Sequence, residues 1–212
     1  MSTTERRGRF ITFEGGDGSG KTTQMRLLAR RLRAMGFEVL ETAEPGGTPI
    51  GMQIRRILLD SANQELCPTA ELLLYFAARA QNVEEWIKPA LDRGAVVLSD
   101  RFTDSTLAYQ GAGRGLGHSV VMALHLVACG GLNPDRTICI DIDVETSLAR
   151  AHARNLAVAD KDEKRMDEQA TDFHRRVRQS YRELANEFPE RIRMIDGNAH
   201  PELVSTRVWD AV

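Results

Sequence analysis

The residues with the clearest chemical potential lie near the amino terminus, where glycines, a lysine and threonines are closely spaced. The pattern G-x-x-x-x-G-K-[ST] is met by Gly15, Gly20, Lys21 and Thr22. Glycines let a loop wrap around phosphate groups, so that its amide N–H groups face the anion. The loop predicts binding of ATP with Mg²⁺ by nine consecutive residues: Gly15, Gly16, Asp17, Gly18, Ser19, Gly20, Lys21, Thr22 and Thr23.

A carboxylate and an arginine follow the apolar run Val96 to Ser99. If that run is a buried strand, Asp100 lies at the carboxyl edge of the sheet, where a Mg²⁺-directed or water-ordering carboxylate belongs in phosphate-loop proteins. Thr22 and Asp100 are therefore the predicted metal-binding residues. Lys21 would reach the β- and γ-phosphates, and Arg101 could bind another phosphate, so we predict catalytic roles for Lys21, Asp100 and Arg101.

Several further side chains suggest a second phosphorylated substrate. Glu44 lies in the Gly-rich segment after the second apolar run, and Arg55 and Arg79 follow it. The planar guanidinium group of arginine matches phosphate oxygens well. Tyr75 lies one helical turn before Arg79, a spacing that allows an aromatic ring to stack on a base while the arginine contacts its edge. Taken alone, Tyr75 would be read as a core aromatic.

The elements that must position these residues alternate between short apolar runs and helical patterns. Five runs predict buried strands, at 10–13, 39–42, 96–99, 137–142 and 192–195. The clearest helix spans 22–35, and the segment 69–93 is helical in composition with a kink or restart expected at Pro89. This alternation predicts an α/β fold of three layers, a five-stranded parallel sheet with helices on both faces. We expect a single domain, residues 1–212.

The most irregular segment spans approximately 150–167, which is densely charged and has no sustained apolar stripe. A charge run of this kind is usually a solvated helix face. Because it accompanies a phosphate site, we interpret it as a short mobile lid over that site.

Composition restricts the partners. Hydrophobic residues make up 42% of the 212 residues, charged residues 27%, and the formal net charge is −2, so nothing requires a nucleic-acid or membrane partner. No run of about 18 apolar residues and no signal peptide is found. Cys67, Cys129 and Cys139 show neither zinc nor disulfide spacing. We therefore expect a cytoplasmic enzyme with a small-molecule substrate.

The phosphate loop alone leaves the class of nucleotide-binding protein open, because GTPases, motor ATPases and small-molecule kinases share it. A GTPase would be expected to carry an Asn-Lys-x-Asp motif that reads guanine, and the chain has none. That absence argues against a G-protein switch. A non-catalytic nucleotide-binding switch stays open as an alternative.

Longer motifs narrow the choice. The chain contains FEGGDGSGKTT at 13–23, EPGGT at 44–48, YFAAR at 75–79, DRFTDSTLAYQG at 100–111 and RMDEQ at 165–169. With these motifs the sequence resembles the thymidylate kinase family of nucleoside monophosphate kinases along nearly its whole length. The resemblance implies transfer of the γ-phosphoryl group of ATP to dTMP, and it implies a homodimer. Another nucleotide acceptor, such as dUMP or dCMP, stays open.

The resemblance also implies residue roles. Asp17 would contact the sugar 3′-hydroxyl, Arg79 and Tyr75 the thymine, and Arg55 and Arg101 the acceptor phosphate. Tyr109 would lie against the deoxyribose where a 2′-hydroxyl would intrude. The full set of predicted substrate-binding residues is Asp17, Glu44, Arg55, Tyr75, Arg79, Arg101, Ser105, Thr106, Tyr109 and Gln110.

One last implication concerns the source of the catalytic arginine. The family divides between members with an arginine in the phosphate loop and members with basic residues in the lid. Gly18 occupies the loop position, so this chain resembles the branch that depends on its lid. Arg150, Arg154 and Arg165 are the candidates, and Arg154 and Arg165 are the predicted catalytic pair. Such a cation would stabilise the transition state as the lid closes and excludes water.

Overall fold

A computed structural model describes residues 7–157 and 164–212, with the side chains of 154–157 left out. Its five strands form one parallel sheet: β1 (Arg9–Gly15), β2 (Val39–Ala43), β3 (Val96–Asp100), β4 (Arg136–Asp141) and β5 (Ile192–Asp196). The predicted α/β fold class is confirmed. Strand β1 gains one residue at its start and two at its end, β2, β3 and β5 each gain one residue at the end, and β4 begins and ends one residue earlier than predicted.

The strand order is β2-β3-β1-β4-β5, which places β1 at the centre of the sheet. The chain runs from β1 to one edge, returns through β3 and then continues on the other side of β1. In open parallel sheets of this kind, ligands bind beyond the carboxyl ends of the strands where the order reverses. The segment 15–22 leaves β1 at this point.

Helices cover both faces of the sheet. Those before β3 are α1 (Lys21–Ala34), α2 (Pro49–Leu59), α3 (Pro68–Asn82) and α4 (Lys88–Asp92). Those after it are α5 (Thr103–Thr106), α6 (His118–Cys129), α7 (Val144–Ala157), α8 (Thr171–Glu187) and α9 (Pro201–Ala211). Helices α1 and α9 pack on one face against apolar residues that include Phe13 and Leu98, and α3, α6 and α8 pack on the other. The result is three layers with a core on each face.

The helical region predicted at 69–93 is divided by a π-helical segment, Val83–Ile87. The amide of Lys88 donates to the carbonyl of Val83, a spacing of five residues. Pro89 has no N–H group and cannot continue an ordinary helix from the preceding turn. The predicted interruption is therefore present, and it lies on the amino-terminal side of the proline.

The region predicted as a lid is partly regular. Helix α7 runs to Ala157, so residues 150–157 are helical, where an irregular segment was expected. The sequence there is rich in alanine and arginine, which favour helices even without an apolar stripe. Residues 158–163 lie outside the described part of the chain. None of the described helices is both long and apolar enough to cross a bilayer.

Candidate active site

The phosphate loop joins the end of β1 to the start of α1. Gly15, Gly18 and Gly20 have positive φ angles of 128°, 76° and 96°, which other residues adopt with strain. The ammonium group of Lys21 donates to the carbonyl oxygens of Gly15 at 3.0 Å and Gly16 at 2.6 Å. Among the described residues, no side chain caps the start of α1. Its first amide groups are therefore available for an anion.

Thr22 and Asp100 lie together at the carboxyl edge of the sheet, as predicted. Strands β1 and β3 are paired so that Phe13 is opposite Asp100, and the hydroxyl of Thr22 donates to the Asp100 carboxylate. A hydroxyl and one carboxylate fit Mg²⁺, which usually retains water and binds through one or two carboxylates and substrate phosphates. The described residues hold no group of three or more His, Cys, Asp or Glu that could bind a metal alone.

Arg101 makes hydrogen bonds to several other residues of the site. Its φ angle of 76° is in the left-handed region, unlike that of any other non-glycine residue described. Its guanidinium group donates from Nη2 to Asp17 Oδ1 at 2.6 Å and to the Tyr109 hydroxyl at 3.1 Å. The same hydroxyl donates to Asp17 Oδ2 at 2.9 Å. The predicted phosphate-binding arginine is therefore held against the phosphate loop itself.

The charges at this junction shift one another's pKa values. Burial, together with the charge of Arg101, lowers the pKa of Lys21 to about 8. Burial acts to raise the pKa of Asp17, but the charges of Arg101 and Lys21 outweigh it and hold that pKa well below its usual range. Asp17 is therefore an anion throughout the physiological pH range, and it fixes the arginine through a charge-assisted hydrogen bond.

Glu14, the last side chain before the phosphate loop, is fully buried beneath Arg101. It accepts from the amide of Phe102 at 2.7 Å, from the Tyr181 hydroxyl at 2.9 Å and from the Ser105 hydroxyl. Burial, with the nearby charge of Asp104, raises the pKa of Glu14 to about 7. Through these hydrogen bonds Glu14 supports the loop that follows β3.

Arg79 lies in a second buried cluster, on α3. Its Nε donates to Glu44 at 2.5 Å, and its Nη2 donates to Thr106 Oγ1 at 2.9 Å and to the Phe102 carbonyl at 3.1 Å. Its Nη1 is buried and finds no hydrogen-bond partner among the described residues. Buried donors rarely stay unpaired, so this nitrogen is suited to an acceptor atom on a bound base. Glu44 fixes the orientation of the guanidinium group by accepting from Nε.

The remaining predicted substrate-binding residues lie in different parts of the site. Arg55 donates to the Pro45 carbonyl at 2.9 Å, which places it beside the Glu44 segment. Tyr75 is half-buried, and burial raises its pKa to about 12. Gln110 is buried, and its amide donates to Glu71 at 2.8 Å. The structure thus brings Asp17, Arg101, Ser105 and Tyr109 into one cluster and Glu44, Arg79 and Thr106 into another.

Comparisons with known proteins bear on this arrangement. Residues 13–208 match the family model described as thymidylate kinase. A thymidylate kinase of Citrifermentans bemidjiense is 53% identical over 97% of this chain and 91% of its own length. A thymidylate kinase of Thermomicrobium roseum is 50% identical over 96% of this chain and 93% of its own length.

The chain belongs to the thymidylate kinase family.

A solved thymidylate kinase, from Ehrlichia chaffeensis, superimposes with a TM-score of 0.78 at 32% identity, covering 96% of this chain and 98% of that one. The predicted family is confirmed, and with it the predicted class of enzyme, an ATP-dependent phosphotransferase acting on nucleoside monophosphates.

Within this thymidylate kinase family member, α7 packs directly on the phosphate loop. The Ser147 hydroxyl donates to the carbonyl of Asp17. A Cβ added at Gly18 would lie 2.5 Å from the Ser147 carbonyl oxygen and 3.0 Å from the Cβ of Arg150. The absence of a side chain at position 18 is therefore what allows α7 to approach. Arg150, a predicted lid cation, lies next to the loop.

Of the two other predicted lid cations, the structure describes the side chain of one. The side chain of Arg154 lies outside the described residues. Arg165 is buried, donating to Glu71 Oε2 at 2.7 Å and to the Leu58 carbonyl at 2.5 Å. It links the end of the lid to α2 and α3, and its contacts show no link to the phosphate loop. The catalytic role of Arg165 stays a prediction that these contacts do not favour.

Sequence reasoning missed Tyr181, Ser147 and Glu71. Tyr181 lies in the apolar stripe of α8 with Phe173, Val177 and Leu184, where an aromatic residue is normally part of the core. Ser147 and Glu71 lie within ordinary helical patterns. None of these positions carries a local signal, because each acts only through elements that are distant in sequence.

Proposed function

We propose that this protein transfers the γ-phosphoryl group of ATP to the 5′-phosphate of dTMP, giving dTDP and ADP. The observation that carries the proposal is the position of Arg101, whose guanidinium group is bound to Asp17 of the phosphate loop. A phosphate held by this arginine would lie beside the donor loop, as transfer between two phosphates requires. Family membership supports the same reaction.

On the donor side, the amide groups of the phosphate loop and Lys21 would hold the phosphates of ATP. Thr22 and Asp100 would hold Mg²⁺, which when bound supplies charge neutralisation between the β- and γ-phosphates. An oxygen of the acceptor phosphate attacks the γ-phosphorus, and the bond from that phosphorus to the β-phosphate oxygen breaks. Arg150 and Arg154 are the proposed lid cations that stabilise charge spreading onto the transferred group.

On the acceptor side, Arg101 and Arg55 would bind the 5′-phosphate, and Asp17 the sugar 3′-hydroxyl. Arg79 and Tyr75 would contact the base, and the unpaired Nη1 of Arg79 is the donor for a carbonyl of thymine. Tyr109 would lie where a 2′-hydroxyl would intrude, which favours deoxynucleotides. Ser105, Thr106 and Gln110 line this side of the pocket.

A product assay over a panel of monophosphates tests the proposal. Purified protein with Mg²⁺ and ATP is given dTMP, dUMP, dCMP and UMP at equal concentrations, and the diphosphates are separated and quantified. We expect dTDP as the main product. Preferential phosphorylation of dUMP or dCMP would identify a different acceptor. Single-turnover reactions with ATP bound and no phosphoryl group transferred to any monophosphate would identify a nucleotide-binding switch.

We further propose that the protein is a homodimer. Helix α6 has no Asp, Glu, Lys or Arg, and beyond His118 at its start its large exposed side chains are apolar: Val120 is 47% exposed, Leu126 66% and Val127 83%. Leu73 on α3, a helix that packs beside α6, is 50% exposed. A contiguous apolar face of this kind is typical of a protein interface. A second copy of the chain is its proposed occupant.

A cytoplasmic location is the last part of the proposal. Cys67, Cys129 and Cys139 are all free thiols, which is usual in reducing compartments. The substrate of the proposed reaction, ATP, is an intracellular metabolite. Fractionation of cells that produce the protein, followed by detection of dTMP kinase activity in each fraction, tests this location.

A further inference from the structure

Three polar side chains surround the inner side of Arg101 and form a buried cluster with it. Arg101 Nη1 donates to Ser105 Oγ at 2.9 Å and, at 3.3 Å, to the Tyr181 hydroxyl oxygen. The two hydroxyl oxygens lie 2.8 Å apart. Tyr181 and Ser105 both reach Glu14 Oε2. We call Glu14, Ser105 and Tyr181 the hydroxyl relay.

The direction of the relay follows from the number of protons. A guanidinium group can only donate, and a carboxylate can only accept. Each hydroxyl has one proton and two acceptor lone pairs. If both hydroxyl protons point to Glu14, the lone pairs of both oxygens remain for Arg101. When Glu14 is ionised, its carboxylate thereby acts on the arginine through two hydroxyl groups that it orients.

The hydroxyl relay also supports an unfavourable backbone conformation at Arg101. The positive φ of Arg101 costs on the order of 1–2 kcal/mol for a residue with a Cβ. Three hydrogen bonds hold that conformation: the Arg101 amide donates to the Phe13 carbonyl at 2.9 Å, the Ser99 hydroxyl to the Arg101 carbonyl at 2.7 Å, and the Phe102 amide to Glu14. Glu14 therefore fixes both the backbone and the side chain of the arginine.

Tyr181, like Glu14, is given no contact with a substrate in the proposed reaction. It is 3% exposed and enters the site from α8. Its ring packs at 6.5 Å from the ring of Tyr109, and its hydroxyl contacts all three other members of the cluster. A phenylalanine would fill the same space in the core. The hydroxyl therefore serves the polar cluster, and packing alone does not account for it.

We propose that Tyr181 is a positioning residue that, with Glu14, aims Arg101 at the acceptor phosphate. This inference rests on the proposed function, because it assumes that Arg101 binds that phosphate. The Tyr181 hydroxyl is engaged by Arg101, Ser105 and Glu14, so Tyr181 would act through the arginine and not directly on a nucleotide. Its loss is expected to weaken recognition of the acceptor phosphate selectively, leaving the binding of ATP and of the thymine nucleoside intact.

The test compares dTMP with thymidine, which lacks the phosphate that Arg101 would hold. Affinities are measured by calorimetry for the wild type, Tyr181→Phe and Arg101→Ala. Ser180→Ala is the matched control, because it removes a neighbouring buried hydroxyl from the same helix. We expect Tyr181→Phe to weaken dTMP binding about tenfold, in the range of a hydrogen bond to a charged group. Thymidine affinity and the KM for ATP should change less than about twofold.

A double variant tests the role assigned to Glu14. If Glu14 acts by orienting the Tyr181 hydroxyl, Glu14→Gln combined with Tyr181→Phe should weaken dTMP binding no more than the worse single change. Additive losses would overturn the relay.

The other outcomes are also decisive. An unchanged preference for dTMP over thymidine in Tyr181→Phe, with that preference lost in Arg101→Ala, overturns the positioning role and leaves the proposed function standing. Equal weakening of both ligands in Tyr181→Phe shows a general loosening and also overturns it. If Arg101→Ala keeps the preference, the assignment of Arg101 and the inference both fail.

Discussion

At the scale of single residues, the site depends on one arginine in an uncommon backbone conformation. Arg101 directly follows Asp100, so the proposed metal ligand and the proposed ligand of the acceptor phosphate are neighbours in the sequence. Its left-handed conformation turns the guanidinium group back toward the phosphate loop, where Asp17 binds it. The sequence predicted a phosphate-binding role for Arg101, but the turn that directs its side chain is visible only in the structure.

Replacing Arg101 with alanine should impair the use of dTMP much more than the binding of ATP. We expect Arg101→Ala to lower kcat/KM for dTMP about 100-fold, since a charged hydrogen-bonding group contributes roughly 1.5–3 kcal/mol. The dissociation constant for ATP should change less than about threefold, because Lys21 and the loop amides hold that substrate. Steady-state kinetics and ATP titration measure both quantities. Equal losses for both substrates would contradict the acceptor role.

Lys21 should be indispensable for the chemical step. We expect Lys21→Ala to abolish detectable phosphoryl transfer, because no other described lysine lies in the phosphate loop to hold the β- and γ-phosphates. Single-turnover measurement of ADP and diphosphate formation checks this. Lys88→Ala, at an exposed surface pair with Glu84, is the control and should retain wild-type turnover. Residual transfer in Lys21→Ala near the wild-type rate would contradict the assignment.

Glu14 should make stability depend on pH in a predictable direction. Its pKa rises from 4.5 to about 7 on folding, so its contribution to stability is full below pH 4.5 and is lost as pH rises through 7. The loss is on the order of 3 kcal/mol. Urea unfolding between pH 5 and pH 8 should therefore show wild type losing stability relative to Glu14→Gln. The exposed Glu65→Gln is the control, and a flat difference for Glu14→Gln would contradict the prediction.

At the scale of secondary-structure elements, an irregular helix positions two residues that are proposed to bind the acceptor. The π-helical segment Leu107–Gly113 carries Tyr109 and Gln110, and its wider turn directs Tyr109 to Asp17 while Gln110 reaches Glu71. Segments of this kind are often found at functional sites. The sequence predicted these two residues by resemblance, but a local pattern does not distinguish a π-helical turn from an ordinary one.

Helix α7 should depend on the absence of a side chain at position 18. Because a Cβ there would lie 2.5 Å from the Ser147 carbonyl oxygen, Gly18→Ala must displace α7 or the loop. We expect a loss of stability of at least about 2 kcal/mol and lower turnover. Gly36→Ala is a matched control, since its φ of 88° is similar but nothing lies within 4 Å of an added Cβ. If both changes destabilised the protein equally, the loss would come from the positive φ angle alone, and the contact with α7 would contribute nothing.

Glu71 should anchor the carboxyl-terminal side of the lid. It is fully buried and accepts from Arg165 at 2.7 Å, Arg114 at 3.0 Å and Gln110. Removing one partner of a buried ion pair costs about 3–5 kcal/mol, so we expect Glu71→Gln to lose that amount in chemical unfolding. Hydrogen exchange in residues 164–169 should also quicken. Glu84→Gln, which breaks an exposed pair with Lys88, should cost under about 1 kcal/mol.

At the scale of the whole molecule, the sequence predicted the three layers of the fold but not the order of the strands within the sheet. Apolar runs such as 96–99 predicted every strand, because buried parallel strands are continuous apolar segments. The order β2-β3-β1-β4-β5 depends on contacts between distant residues, such as Phe13 opposite Asp100, which periodicity does not encode. Arg165 illustrates the same limit, since its place in a charged segment gave no sign of its buried partner Glu71.

The proposed dimer can be tested on the exposed face of α6. Val127→Asp places a charge where the side chain is 83% exposed in the single chain, so folding should be unaffected while the interface is disrupted. Sedimentation velocity should show a dimer for wild type and a monomer for the variant. Leu203→Asp, at a 51% exposed position on α9, is the control and should stay dimeric. A monomeric wild type would contradict the proposal.

The contact between Gly18 and α7 also constrains how this chain could have evolved. If Gly18 were replaced by arginine while α7 kept its present position, the new Cβ would collide with the carbonyl oxygen of Ser147. An arginine at this position would therefore require α7 to lie farther from the phosphate loop than it does here.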